Sequence, residues 1–203
     1  MNVSFDVPAG FTSIPPGMTP EESAAYADAR AAGSKEQPET PEADALERTH
    51  VVSQVLSRAG ALYAGAAFGL IDEDLSAATL LVTAQRFPYG LDAVVAAEGT
   101  MQALVAERGP DWTGEVRQLP CGQPAAIVVG GRLYELPDVQ PAVPFAELQA
   151  FIPVPEHPSL PEQAMLVVSF STPAARHWER YMPTVTHLLR TINFAPGDPS
   201  SNR

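Results

Sequence analysis

The sequence QAMLVVSFSTPAARHWERYMPTVTHLLRTINF occupies Gln163–Phe194, near the end of the chain. Its first part is a short apolar run bounded by turn residues, which is typical of a buried strand. Ser171 and Thr172 then offer a hydroxyl suited to cap a helix, and Pro173 suits the first helical position. The stretch therefore predicts a buried strand that leads directly into a helix, with the hydroxyls in a structural role.

The helix predicted after this junction carries an apolar stripe and a basic outer face. The stripe consists of Trp178, Val185, Leu188, Leu189 and Ile192. Pro183 removes one backbone hydrogen bond, so we expect the helix to kink or to break in two. The outer face, with Arg176, Arg180 and Arg190, is either a solvated surface or a basic ridge that meets an acidic partner or a second subunit. On the second interpretation, the partner-binding residues are Arg176, Trp178, Arg180 and Tyr181.

Upstream of this stretch, the predicted strands come in neighbouring pairs with helices between the pairs. Capping residues and helical spacing predict helices over Met18–Gly33, Pro41–Ala59 and Leu91–Pro110. Apolar and alternating runs predict strands over Val3–Pro15, Ala61–Ile71, Ala78–Phe87, Glu115–Leu136 and Phe145–Pro155. This order favours an antiparallel sheet over the βαβ alternation of a parallel one. The predicted fold class is α+β, an antiparallel β-sheet flanked by helices, in a single domain over residues 1–203.

Several residues carry more local predictions. Thr19 and Glu22 form a capping box at the start of the first helix. The pair Gly130-Gly131 predicts the two-residue turn of a hairpin. Gly65 and Gly69 lie inside a strand, which indicates a bend or the close approach of another element. Helical spacing predicts one shared face of the second helix and a core-facing side of the third. The first consists of Val51, Val52, Val55, Leu56 and Ala59, and the second of Leu91, Val94, Val95, Met101, Leu104 and Val105.

Composition restricts the classes of partner. The chain has 203 residues and a net charge of −12. Nucleic-acid binding requires a basic stripe, and the sequence has none, so we expect no nucleic-acid partner. No apolar run reaches the roughly 18 residues that a membrane-spanning helix needs. The opening residues MNVSFDVPAGF lack the basic and apolar regions of a signal peptide, which predicts a cytoplasmic location.

The residues able to carry chemistry are few and scattered. Cys121 is the single cysteine and follows a proline with no helix start behind it, so a structural role is favoured over a nucleophile. Glu47 and His50 give one copy of a helical metal motif that needs two. His177 and His187 would lie about 15 Å apart on one helix, too far to share a metal ion. We predict no catalytic residue, cofactor or metal; a small enzyme that uses Cys121 or a histidine stays open as an alternative.

The opening strand and the closing strand-helix unit resemble the PsbP-like group, which includes DcrB-like proteins and small actinobacterial proteins. The resemblance covers Phe5–Ile14 and Phe151–Phe194, with an ending of the form VVSFSTPxxxxWxxYxPxxxxLLRTINF. It implies an α/β/α sandwich around an antiparallel sheet, and it implies no catalytic residues. Members of the group mostly bind proteins as assembly factors, regulators or secretion-associated chaperones.

These observations predict a non-catalytic, cytoplasmic protein-interaction domain that acts as an assembly or accessory factor. The alternative from the same class is a chaperone or accessory protein of a secretion or contractile injection system. That alternative requires an apolar groove for a partner helix. Exposed strand edges, above all along Ala78–Phe87, favour a protein partner. A homodimer is the simplest case, since two-fold pairs are the commonest oligomers.

The segment Ser34–Asp44 yields the first testable prediction. It is polar, acidic and rich in proline, so it cannot bury enough apolar surface to offset the entropy of ordering, and we expect it to be flexible. A glutamate-specific protease should cut after Glu36 or Glu39 before it cuts at Glu98 in the third predicted helix. Mass spectrometry of a timed digest measures the order, and equally early cleavage at Glu98 would contradict the prediction.

Overall fold

The computed structural model describes residues 2–33, 43–135, 141–157 and 162–195. In this part of the chain the helices are α1 (Pro20–Gly33), α2 (Ala43–Arg58), α3 (Ala93–Arg108) and α4 (Trp178–Thr191), with a 3-10 helix over Ala175–His177. The strands are β1 (Asn2–Ser4), β2 (Thr12–Ser13), β3 (Ala61–Ile71), β4 (Asp74–Arg86), β5 (Thr113–Gln118), β6 (Pro124–Tyr134), β7 (Val143–Pro153), β8 (Ala164–Thr172) and β9 (Asn193–Ala195).

Seven of these strands form one antiparallel sheet in the order β2-β3-β4-β8-β7-β6-β5. The quoted strand, β8, lies at its centre, where Val168 is opposite Val82 of β4 and Ala150 of β7. The first and last strands, β1 and β9, pair with each other in a separate two-stranded sheet. The predicted fold class, an antiparallel sheet flanked by helices, is confirmed.

One face of the sheet is buried under α4. Side chains alternate across a strand, so Leu166, Val168 and Phe170 of β8 point to the same face. All three are almost completely buried and share one core with Val185 and Leu188 of α4. Burial of each such side chain stabilises the fold by roughly 1.5–3 kcal/mol. This packing joins the two halves of the quoted stretch into one unit.

The opposite face is covered unevenly. Helix α3 packs over β5, β6 and β7, where the Arg108 guanidinium donates to Gln149 Oε1 at 2.6 Å. Helices α1 and α2 pack against each other, and α2 contacts β3. The hydroxyl of Ser53 in α2 accepts from the Met18 backbone N–H and donates to the Pro15 carbonyl, which fixes α2 beside the start of α1. The ends of β3 and β4 next to their connecting turn extend beyond the part of the sheet that these helices cover.

The start of α1 was predicted correctly, because the residues that cap it are close together in the sequence. The capping box of α1 is present, because Thr19 N–H donates to Glu22 Oε2 and Glu22 N–H donates to Thr19 Oγ1. The junction after β8 differs from the prediction. Thr172 is completely buried, and its hydroxyl donates to the Ala77 carbonyl and accepts from Ala174 N–H. These bonds fix the strand end, and α4 starts only at Trp178.

The prediction of a turn at Gly130-Gly131 is wrong. Strand β6 runs through both residues, and the hairpin turns earlier, where Leu119 N–H donates to the Gln123 carbonyl. Gly130 is required for packing instead: a Cβ there would lie 2.4 Å from the ring of Trp112. The glycine gives room for the buried indole to lie on the sheet.

Other expectations also need correction. Strand β4 begins at Asp74 instead of Ala78, and it is paired on both sides, so it is no sheet edge. Helix α4 continues through Pro183, so it does not break in two there, and the kink stays a prediction. Of the apolar residues predicted to share these helix faces, Leu56, Met101, Leu104 and Val105 are partly buried. Six others are exposed: Val51, Val52, Val55, Leu91, Val94 and Val95.

The predicted flexible segment Ser34–Asp44 falls outside the described residues up to position 42, and its last two residues begin α2. Within the described ranges, no helix combines the length and the apolar character needed to cross a membrane.

The close packing at Gly130 gives a direct test. We expect Gly130→Ala to lower the free energy of unfolding by about 1–3 kcal/mol, because the new methyl group overlaps the Trp112 ring. Gly69→Ala in β3 is the matched control, since a Cβ there has no atom within 4 Å. Urea denaturation followed by tryptophan fluorescence measures both. Equal losses in the two variants would contradict this account of Gly130.

Candidate protein-interaction surface

The tip of the β3–β4 hairpin has a strained two-residue turn. Asp72 and Glu73 both have positive φ angles, 51° and 69°. Two-residue hairpin turns of this kind require positive φ at both positions, and Asn-Gly is the usual sequence because side chains rarely favour this conformation. Here two acidic residues adopt this conformation, so the surrounding structure must stabilise the turn.

Two arginines before and within α4 hold this turn. Arg180 donates to both carboxylate oxygens of Asp72, with Nη2–Oδ1 at 2.7 Å and Nε–Oδ2 at 3.2 Å. Arg176 forms an ion pair with Asp74, with Nε–Oδ2 at 3.1 Å. The hydrogen bonds that Arg180 donates to the Asp72 carboxylate raise the pKa of Arg180 above its ordinary value. Two of the three arginines of the predicted basic ridge, Arg176 and Arg180, are thus engaged within the chain, and they fix the hairpin tip to α4.

The two aromatic residues assigned to partner binding lie beneath these arginines. Tyr181 is only 8% exposed, and its hydroxyl lies 2.7 Å from Ser76 Oγ. Trp178 is partly buried against Phe170, with ring centroids 5.8 Å apart. The partner-binding assignment stays a prediction for Arg176, Trp178 and Arg180, and burial leaves Tyr181 almost no surface for a partner.

The opposite side of the same hairpin is apolar and solvent-exposed. Phe68, Leu70 and Leu75 are 76%, 72% and 59% exposed. Leu70 lies opposite Leu75, and Phe68 lies opposite Ala77, so these side chains share the face turned away from α4. We call Phe68, Leu70 and Leu75 the hairpin face. Sequence analysis missed it because an apolar strand pattern predicts burial.

The outer edge of β3 is open beside the hairpin face. Strand β2 pairs with β3 only at Gly65 and Ala66, and no described strand lies along Ala67–Ile71. The Ala64 carbonyl accepts from Ile14 N–H on the β2 side. Because backbone groups alternate along a strand, Phe68 and Leu70 direct their N–H and C=O groups to that same outer side. A cleft of about 230 Å³ separates this edge from the turn at Ala9–Phe11.

A second polar cluster lies under α3, on the same side of the sheet as the hairpin face. The buried carboxylate of Glu147 accepts a hydrogen bond from Tyr134, whose pKa is raised by burial and by this bond. The Arg108 guanidinium stacks 4.3 Å from the centroid of Trp112, and burial together with the charge of Arg132 lowers its pKa. These contacts fix α3 on the sheet, but among the described residues Arg108 Nη1 and Glu147 Oε2 are buried without a hydrogen-bond partner.

The other candidate residues do not converge. Cys121 lies in the β5–β6 turn, partly buried against the core, and His50 lies in α2 beside Ser23. His177 is buried in the 3-10 helix, and His187 lies 3.3 Å from Asp6. Among the described residues, no three His, Cys, Asp or Glu side chains are close enough to hold a metal ion.

Comparison with known proteins adds a limited finding. No protein-family model and no curated protein matches the chain. Among solved structures, the chain matches the crystal structure of LpqN, described as involved in cell envelope biogenesis of Mycobacterium tuberculosis, with a TM-score of 0.46 and 9% sequence identity. The match covers 96% of this chain and 83% of that chain. The resemblance of the sequence to the PsbP-like group stays a prediction.

The hydrogen bonds that Arg180 donates to Asp72 lead to a prediction about local stability. We expect Arg180→Ala to increase amide hydrogen exchange across the turn and flanking residues 70–76, because the strained turn loses its bidentate contact. Arg190→Ala, also exposed on α4, should leave this segment unchanged. Exchange followed by mass spectrometry compares the two, and unchanged exchange in Arg180→Ala would show that the turn holds without the arginine.

Proposed function

We propose that this chain is a non-catalytic protein-interaction domain that binds its partner through the hairpin face and the adjoining open edge of β3. The observation that carries the proposal is the high exposure of Phe68, Leu70 and Leu75 on one firmly held hairpin. Scattered exposed apolar residues are normal on a protein, but a contiguous cluster marks an interaction site. Aromatic side chains are enriched among the residues that dominate binding energy, and Phe68 is the exposed aromatic of this cluster.

The anchoring of the hairpin supports this function. A flexible hairpin would lose conformational entropy on binding, which weakens affinity. Here Arg180 and Arg176 hold the turn against α4 before any partner arrives. The face presented by Phe68 and Leu70 is therefore pre-organised.

The geometry also favours one mode of recognition. The hairpin face and the β3 edge present apolar side chains beside backbone groups that no strand of the described residues pairs, which suits strand addition by an extended segment. This differs from the helix-in-groove binding that the secretion-chaperone alternative requires. The cytoplasmic location and the absence of catalysis both remain part of the proposal.

Site-specific photo-crosslinking tests this function. With p-benzoylphenylalanine at position 68 in the native host, we expect adducts to a discrete protein, which can include a second copy of this chain. The control places the same residue at position 91, where Leu91 is fully exposed on the segment before α3. The absence of adducts from position 68, or the same adducts from both positions, would contradict the proposal.

A double substitution tests the same surface independently. Phe68→Ser with Leu70→Ser should abolish the association while the free energy of unfolding changes little, since both side chains are already solvated. Leu91→Ser with Val95→Ser removes a similar exposed apolar area elsewhere and should leave the association intact. Copurification and urea denaturation measure the two properties, and retained association in the first variant would contradict the assignment of the hairpin face.

A further inference from the structure

A cavity of about 290 Å³ lies between α3 and the central strands, on the face of the sheet opposite α4. Helix α3 packs on β5, β6 and β7, and α2 packs on β3, so neither helix is centred over β4 and β8. Met165 and Val167 of β8 form the floor of the cavity and are 2% and 9% exposed. Phe87, which follows β4, lines its solvent side and is 40% exposed.

The wall of the cavity is apolar and contains two aromatic rings and a thioether. Its apolar residues are Phe87, Ala103, Leu104, Phe151, Met165 and Val167. Aromatic rings pair favourably with other rings in offset or edge-on geometry, and a methionine sulfur interacts favourably with a ring. This combination favours an aromatic ligand over an aliphatic one.

Two polar side chains complete the lining. They are Gln85 and Thr100, and neither has a hydrogen-bond partner among the described residues. Ligand sites commonly place a few such groups in an apolar wall, where they fix the orientation of the ligand. Among the described residues, no charged side chain lines the cavity. A charged ligand would therefore lose hydration without gaining an ion pair, so the lining selects a neutral molecule.

The volume of the cavity limits the size of the ligand. An engineered apolar cavity of about 150 Å³ in another protein holds benzene. The cavity beside α3 is about twice as large. Two fused rings match this volume better than one ring does.

We propose that this cavity binds a neutral, fused-ring aromatic molecule that carries one hydrogen-bonding group. The rings pack against Phe87, Phe151 and Met165, and the polar group bonds to Thr100 or Gln85. This site is separate from the hairpin face, because Leu75 and Gln85 are ten residues apart on β4, a distance of about 34 Å. The proposal therefore goes beyond the proposed function, and either can fail without the other.

Titration with indole tests the site. Indole is neutral, has two fused rings and carries one N–H donor. In protein with methyl-labelled methionine, the NMR signal of Met165 should shift saturably, because a bound ring lies beside its methyl group. Met182 of α4 lies away from the cavity and should not shift. The absence of a saturable shift at Met165, or an equal shift at Met182, overturns the proposal.

The charged analogue indole-3-acetate tests the selection of neutral ligands. It should bind about tenfold more weakly than indole, because its carboxylate loses hydration at a site without a cation. Equal or tighter binding of indole-3-acetate overturns the proposal.

Two sets of variants test the location of the site. Thr100→Trp extends a ring into the cavity and should abolish the Met165 shift. Ala106→Trp is the matched control, since it adds the same ring at an exposed position of α3 outside the lining, and it should retain indole binding. Urea denaturation checks that both variants fold. Retained binding in Thr100→Trp, or equal loss in both folded variants, overturns the proposal.

A variant that keeps the packing provides the second measurement. Thr100→Val with Gln85→Met removes both polar groups and changes the side-chain volumes little. Indole should then bind about fivefold more weakly, which corresponds to the loss of one hydrogen bond. Unchanged indole affinity in this double variant overturns the proposal.

Discussion

The packing of α4 on the central strand β8 determines how the rest of the molecule is arranged. Phe170 contacts both Trp178 and Tyr181 through its ring, with centroids 5.8 Å and 5.3 Å apart. Val185 and Leu188 then continue the contact along the helix into the core. Because the helix is fixed in this direction, its first turn comes to lie beside the tip of the β3–β4 hairpin. The interactions of Arg180 and Arg176 with that tip are a consequence of the apolar packing.

This arrangement makes the two sides of the hairpin different. On the α4 side, Ser76 and Tyr181 are buried and bonded to each other. On the other side, Phe68 and Leu70 are exposed to solvent, beyond the part of the sheet that α3 covers. A hairpin that is held on one side and apolar on the other is suited to bind proteins through strand addition. The strained turn at Asp72 and Glu73 lies where the contacts of Arg176 and Arg180 can stabilise it.

Features that depend on neighbouring residues were predictable from the sequence. The capping box of Thr19 and Glu22 and the end of α3 at Gly109 follow from local hydrogen-bond chemistry. Features that depend on distant residues were not. The residues Arg180 and Asp72 are 108 positions apart in the sequence. Gly130, which packs under Trp112, is part of a Gly-Gly pair, and the same pair is typical of a hairpin turn.

The hairpin face was missed for a related reason. Apolar alternation in a strand predicts which residues share a face, but the cover over that face is decided by where the helices pack. The same limit applies to Leu91, Val94 and Val95, whose spacing suggested a core contact although they are exposed. Of the predicted partner-binding residues, the structure brings Arg176 and Arg180 to the hairpin, where they hold the turn beside the proposed binding surface.

Amide hydrogen exchange of β3, resolved by residue, tests the central claim most directly. The N–H groups of Ala67 and Gly69 point towards β4, so they should be protected at every protein concentration. The N–H groups of Phe68 and Leu70 point outward, so they should exchange rapidly in dilute protein and become protected as association proceeds. Slow exchange at Phe68 and Leu70 in dilute monomer, or rates that do not change with concentration or with an added partner, would contradict the account.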